Sequence, residues 1–377
     1  MKALIIGTAK SVWVKEFIKN VLLPEGIDVT LLNDPTVKNQ FMDFYECNGV
    51  KYAGQYKPSP VFSRIPKLKR HYKERKTIKA LSLNTERYDL IFIISVVPFY
   101  LKCAEAVYRE GTKVYALFIG SDILRARKET ACMIMDRLSG MNAQVVALGQ
   151  KAEEACKRFM PESVKKVLNI DFGSAQLGII DSFADKGRGY CKQALGISDG
   201  SITICVGHNG FSSQQHLKII KAIDMLPDEL RKRVSLILPL TYGGKKKYTD
   251  EVKKAAEKYP CVVFDSFMES DDVAKLRVAS DIYINAQVTD ALSTSMLEHI
   301  YSGSKVLVGS WLSYPELKEW GINVGEFSDF DELSSMIRQS ITFLAKDEDE
   351  TKTNKDIIRK KASWDACRAK WHNELYG

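Results

Sequence analysis

The stretch "VTDALSTSMLEHIYSGSKVLVG", residues 288–309, decides how this chain is read. An acid and three hydroxyls, Asp290 and Ser293-Thr294-Ser295, stand ahead of an apolar stripe of Met296, Leu297 and Ile300. Ser302-Gly303 ends the helical pattern, and "KVLVG" follows as a branched aliphatic strand. The preceding "DIYINA" is a second strand of the same kind. Strand, loop, short helix, strand is the repeating unit of a parallel sheet, because parallel neighbours need a crossover between them.

The same rhythm extends in both directions. "ITICVG", "VSLILPL" and "CVVFDSF" precede it, with helices starting near Gln214, Asp250 and Asp271. The first half alternates "KALIIG", "DVTLL", "YDLIFIISVV", "KVYALFIG" and "AQVVALG" with amphipathic stretches such as "SVWVKEFIKNVL". Residues 171–200 break the pattern with six glycines and scattered charge. The expected organisation is therefore a domain over 1–185, a second over 186–350, and a terminal helical piece over 351–377. The fold class is α/β, two doubly wound parallel sheets facing a cleft, with ligands at the carboxyl ends of the strands.

Composition removes several alternatives. With 377 residues, 45% of them hydrophobic, the chain can bury large cores. Its longest apolar stretch, Leu90 to Leu101, runs 12 residues and contains Pro98, short of the roughly 20 that cross a bilayer. The start reads as a first strand rather than a secretory signal, so the expected location is cytoplasmic. The eight cysteines are scattered, with neither C-x-x-C spacing nor paired histidines, which points to reduced thiols and no metal.

The net charge of +8 is concentrated. Between Lys57 and Lys79 nine bases stand against one acid, Glu74, which equals the excess of the whole chain. One reading is a solvated basic face. The other, assigned to Lys67, Lys69, Arg70 and Lys73, is attraction to an anionic membrane surface or a polyprenyl-phosphate-linked acceptor, each base contributing about 1 kcal/mol near such a leaflet. Nucleic acid is not expected, since no RNP-like or helix-turn-helix pattern accompanies Phe62 and Tyr72.

Asp290, Ser293, Thr294 and Ser295 fall in the loop and first turn after "DIYINA", where exposed helix amides suit a phosphate. Glu298, eight residues after Asp290, sits about one turn into that helix, where its carboxylate would accept hydrogen bonds from ribose hydroxyls. The plain alternative is a hydroxyl N-cap and a solvent-facing glutamate. The ligand this join suits is a nucleotide diphosphate-sugar, used as a substrate with no further cofactor. In "ITICVGHNGFSSQQH", Gly207 and Gly210 allow a backbone to approach a ligand closely, with His208 and Asn209 between them. Tyr242 and Gly243 end a strand and Lys245, Lys246 and Lys247 follow, cations suited to a departing pyrophosphate or simply an exposed cluster. Asp329-Phe330-Asp331 reads as a capped helix start. Trp364 and Trp371, seven apart, read as one packed helix face.

The spacing Asp290-x7-Glu298, followed by Ser302-Gly303 and a strand, resembles the E-x7-E region of GT-B glycosyltransferases. That resemblance implies two Rossmann-like domains, the first binding the acceptor and the second the nucleotide sugar, with the terminal helix crossing back to the first. Within it, "GHNGF" and "LILPLTYG" look like the bacterial 4-acetamido-4,6-dideoxygalactose transferase family of enterobacterial common antigen synthesis, whose loop has a Gly-Asn-Ser-Gly character where this chain has Gly207-His208-Asn209-Gly210. The "WG-x-D" stretch of that family falls on Gly120 and Asp122, with Ile119 at the tryptophan position. It implies that Asp122 positions or deprotonates an acceptor hydroxyl, the alternative being a helix cap. His208 would contact the donor.

The expected function is metal-independent transfer of a sugar from UDP, GDP or dTDP to a hydroxyl of a lipid-linked or polysaccharide precursor, with a ribose at Glu298 favouring UDP or GDP. Peripheral attachment to the inner face of the membrane goes with it. Two rivals remain: a non-catalytic two-lobed binding or scaffold protein, and a dinucleotide-dependent oxidoreductase. The second lacks its fingerprint, because "IIGTAKSVW" has one glycine where G-x-G-x-x-G needs three.

Overall fold

The computed structural model describes residues 1–33, 40–57, 59, 66–161, 166–342, 344 and 348–377. The first unit comprises Met1–Phe172 with Cys367–Gly377, and the second Gly173–Ala366.

The first unit is built on a seven-stranded sheet in the order β3-β2-β1-β4-β5-β6-β7. Its strands are β1 (Lys2–Ile6), β2 (Asp28–Leu32), β3 (Lys51–Ala53), β4 (Leu90–Ile94), β5 (Lys113–Phe118), β6 (Gln144–Ala147) and β7 (Val167–Asn169). All pairings in it are parallel. β4 reads LIFII with every residue buried, as expected of a central strand covered by helices on both faces. The strand order reverses between β1 and β4. Trp371 is fully buried against Phe17 at a ring separation of 4.9 Å, and Phe17 also packs on Phe92 and Phe172. These aromatics tie residues 367–377 to the unit.

The second unit carries a six-stranded parallel sheet in the order β10-β9-β8-β11-β12-β13. Its strands are β8 (Ile202–Val206), β9 (Val234–Pro239), β10 (Cys261–Phe264), β11 (Ile282–Asn285), β12 (Lys305–Gly309) and β13 (Gly325–Phe327). Here the order reverses between β8 and β11. The helix Leu177–Ala184 buries Leu177, Ile180 and Phe183 in the same core as Ala274 and Val278 of the helix Ser270–Ala279. That apolar face places residues 173–185 in the second unit, ahead of the change at 186 expected from the glycine-rich pattern. The entry and exit of the unit also meet. Ser174 N donates to Ala362 O at 2.8 Å, and a Cβ on Gly173 would lie 2.3 Å from Trp364 N, so the close approach needs glycine. Asp329 Oδ1 accepts from the amides of Asp331 and Glu332, capping the helix Phe330–Thr342. Among the described residues no helix is long and apolar enough to cross a membrane.

Candidate functional site

In the second unit the chain leaves β8 at the point where the strand order reverses, the place where open α/β sheets bind ligands. Gly207 takes a left-handed φ of +66°, which glycine adopts without strain. Its amide bonds Ile284 O, so His208 begins a loop already fixed to β11. His208 Nδ1 lies 3.1 Å from the Tyr283 hydroxyl and its Nε2 lies 3.3 Å from Gln214 Nε2. The Gln214 amide donates, so the neutral ring carries its proton on Nδ1. Asn209 Oδ1 accepts from Phe211 N, and Gly210 N bonds Tyr242 O at 2.8 Å, joining the loop after β8 to the loop after β9.

That second loop holds Tyr242, exposed, and Gly243 at φ +80° with the Phe211 ring 2.1 Å from where a Cβ would stand. Lys245 is the N-cap of the helix Lys246–Ala256, and Lys245, Lys246 and Lys247 are all exposed. The first turn contains no acid. Three ammonium groups at the positive end of a helix repel one another and the helix dipole, an arrangement that an anion relieves.

On the other side of β8, the loop after β11 places Asp290 where Oδ2 accepts from the Tyr314 hydroxyl at 2.9 Å and from Asn285 Nδ2 at 3.3 Å. Burial and the Asp290 charge push the Tyr314 hydroxyl well above its ordinary pKa, which keeps it a donor. Ser293 caps the helix Thr294–Tyr301 by accepting from Met296 N. The amides of Thr294 and Ser295 belong to the first turn and have no acceptor within the helix.

Glu298 sits elsewhere than a solvent-facing position. It is 5% exposed, with Oε1 accepting from Ser174 Oγ at 2.8 Å and Oε2 from Arg277 Nε at 3.0 Å. Arg277, also buried, points Nη1 at His299 Nε2, and the His299 ring stacks on Tyr283 at 4.1 Å. Burial, then the Arg277 charge, hold His299 well below its ordinary pKa and keep it neutral. The glutamate is thus the centre of an interior ion pair, with two of about four acceptor positions in use.

In the first unit, a cavity of about 340 Å³ opens at the reversal between β1 and β4, lined by the Gly7-Thr8-Ala9-Lys10 loop, Asn33, Val97, Phe99 and Tyr100. Arg70 and Lys73 reach it from the helix Pro66–Ser82, and Arg70 pairs with Glu74 at 2.9 Å. Lys69 is exposed on that helix, and the side chain of Lys67 lies outside the described residues. Asp122 anchors the neighbouring loops. Its Oδ2 accepts from Val96 N at 2.9 Å and Ile119 N at 3.3 Å, and its Oδ1 from Gly120 N at 3.0 Å. Burial pushes its pKa up to about 6 against the downward pull of those amides. The carboxylate holds the ends of β4 and β5 together.

No protein family matches the sequence, and no curated protein does. Solved structures do match over the full length. Anabaena HepE, solved in complex with UDP-glucose, has a TM-score of 0.74 at 17% identity, covering 100% of this chain and 99% of that one. A glycosyltransferase from Rickettsia africae has a TM-score of 0.71 at 14% identity, covering 100% and 97%. Sucrose-phosphate synthase from Thermosynechococcus elongatus reaches 0.74 at 14%, covering 100% and 98%. The fold is GT-B. At these identities the likeness is one of fold, and the resemblance to 4-acetamido-4,6-dideoxygalactose transferases gains no support from these GT-B structures.

Each unit holds site residues that the sequence pattern did not single out. Gln214 bridges His208 and Gln287, Tyr314 and Asn285 hold Asp290, and Lys10 joins Arg70 and Lys73. Gln214 and Lys10 stand in the strand-to-helix loops after β8 and β1, so loop position was a usable signal for them. Tyr314 stands 24 residues from Asp290, and no local pattern links the two.

Proposed function

We propose that this chain is a glycosyltransferase that takes a sugar from a UDP-sugar, or a related nucleotide diphosphate-sugar, and moves it to a hydroxyl of an anionic acceptor. The observation that carries this reading is the flanking of the β8 loop by two helix starts. Lys245–Lys247 lie at one, Ser293–Ser295 at the other, and β9 and β11 are the immediate neighbours of β8. A pyrophosphate between them meets cations on one side and helix amides on the other. HepE, of the same fold, was solved with UDP-glucose, which supports this choice of donor.

In this proposal Lys245 and Lys247 neutralise the departing diphosphate, and Gly207, Asn209 and Gly210 shape the loop against it. Tyr242 stands exposed beside them, and Asp290, held by Tyr314, faces the sugar hydroxyls. His208 is positioned by Tyr283 and Gln214 to donate or accept at the donor. Glu298 serves chiefly as an internal strut, with its remaining acceptor capacity available to a ribose. Asp122 shapes the acceptor loop rather than acting as the base. Lys10, Arg70 and Lys73 recognise the acceptor's anionic group, for which a polyprenyl-phosphate-linked or polysaccharide precursor at a membrane surface is the proposed class.

The test is thermal stabilisation by UDP, GDP, dTDP and NAD together with slow hydrolysis of UDP-sugars. UDP at 100 times its dissociation constant stabilises by about 2.7 kcal/mol. Stabilisation by NAD alone, or by none of the four, would remove the proposal.

A further inference from the structure

A larger cavity of about 460 Å³ lies in the second unit at the opposite edge of the sheet, among the residues that precede or begin β11, β12 and β13. The transfer chemistry proposed above does not use it. Its size suits a small molecule. Asn354, on the helix Glu348–Ala362, lines it. Asn354 is 9% exposed.

The walls specify the ligand's chemistry. Arg188 is held rigidly, Nη1 on Asp281 at 2.6 Å and Nη2 on Gly303 O at 3.1 Å, and Lys192 shares the same aspartate at 2.7 Å. Lys305 stands 3.9 Å from Glu350, a loose pairing that leaves its ammonium available to a stronger anion. Arg188 and Lys305 of the lining balance Asp281 and Glu350, and Lys192, outside the lining, adds a further positive charge on Asp281. Asn323, Gln339 and Asn354 offer amides that donate and accept together, which is what adjacent hydroxyls require. Met336 supplies an apolar patch for the C–H face of a ring. The helix Thr294–Tyr301 connects the two edges, with Ser293 capping its start and Ile300 and Gly303 in the cavity wall.

We propose that this cavity is a second ligand site that takes a phosphorylated sugar, its phosphate at Lys305 and its hydroxyls at the amides, as an effector separate from the transfer substrates. Only the effector role rests on the function proposed above; the binding does not.

Calorimetric titration tests it, with glucose 6-phosphate, fructose 6-phosphate, glucose and inorganic phosphate as probes and UDP present throughout. The proteins are the wild type, Lys305→Met, Gln339→Trp, which plugs the cavity from an exposed position, and Lys73→Ala in the first unit. Expected is saturable binding of at least one of the two sugar phosphates, at least tenfold weaker in Lys305→Met, lost in Gln339→Trp and unchanged in Lys73→Ala. UDP affinity, equal in all four, reports that they are folded. Absence of saturable binding by both sugar phosphates would overturn the proposal. So would loss in Lys73→Ala with retention in Lys305→Met, or inorganic phosphate binding as tightly as the sugar phosphates. If the wild type bound a sugar phosphate but not UDP, the donor reading would fall and this site would stand.

Discussion

Ser174 Oγ and Glu298 Oε1 meet at 2.8 Å across 124 residues of sequence, which joins the first residues of the second unit to the helix that follows the loop after β11. Arg277 holds the other carboxylate oxygen, so the motif residue expected at a ribose is first a structural ion pair. Removing one partner of such a pair strands a buried charge, at a cost of about 3–5 kcal/mol. Glu298→Ala and Glu298→Gln should both lower the unfolding free energy by about that amount in denaturant titrations. Full stability combined with lost UDP affinity would return Glu298 to a purely ligand-binding role.

The lysines at the start of Lys246–Ala256 make a different prediction, because they are exposed. Lys245→Ala with Lys247→Ala should weaken UDP about tenfold at low salt, at roughly 0.7 kcal/mol for each charge. The gap should narrow in 1 M salt, where the screening length falls to about 3 Å. A difference independent of salt would mean that the lysines act through loop conformation.

Asp122→Asn separates an anchor from a base. An asparagine turns an N–H toward main-chain donors that the carboxylate now accepts, so the fold should lose about 1–3 kcal/mol while donor hydrolysis persists. Unchanged stability with abolished transfer would restore the general-base role.

His216 makes the pH prediction. Burial lowers its pKa from 6.5 to about 4, against a raising bond from the Asn209 backbone, and its Nδ1 faces the Tyr248 hydroxyl at 3.1 Å. The unfolded chain therefore binds a proton between pH 6.5 and 4 that the folded chain refuses. Stability from this group is full above pH 6.5 and is lost as pH falls toward 4, by up to about 1.4 kcal/mol per pH unit. The difference in unfolding free energy between wild type and His216→Asn should shrink over that window. A constant difference would show that His216 titrates alike in both states.

Much of this architecture is legible from short apolar runs. Leu90–Ile94 and Ile202–Val206 announce buried strands, since a parallel sheet covered on both faces leaves no polar alternation. The loops after β8 and β11 were legible for the same reason, because a strand end followed by glycine or hydroxyls marks where backbone amides emerge. The Glu298–Arg277 pair was not, since the arginine lies on the neighbouring helix Ser270–Ala279 and neither residue's surroundings betray the other. The basic run at 57–79 displayed its charge but not that Arg70 and Lys73 turn toward a cavity shared with Lys10.

By itself, then, the sequence determined which segments become strands and helices and which loops emerge between them, because hydrophobic period and turn chemistry act over a few residues. Tertiary structure decided the strand order, the reversals beside β1 and β8, and the choice of Glu298 as strut and Asp122 as anchor. Those outcomes depend on partners tens of residues away, and a carboxylate's role follows from the donors that packing brings to it rather than from its own identity.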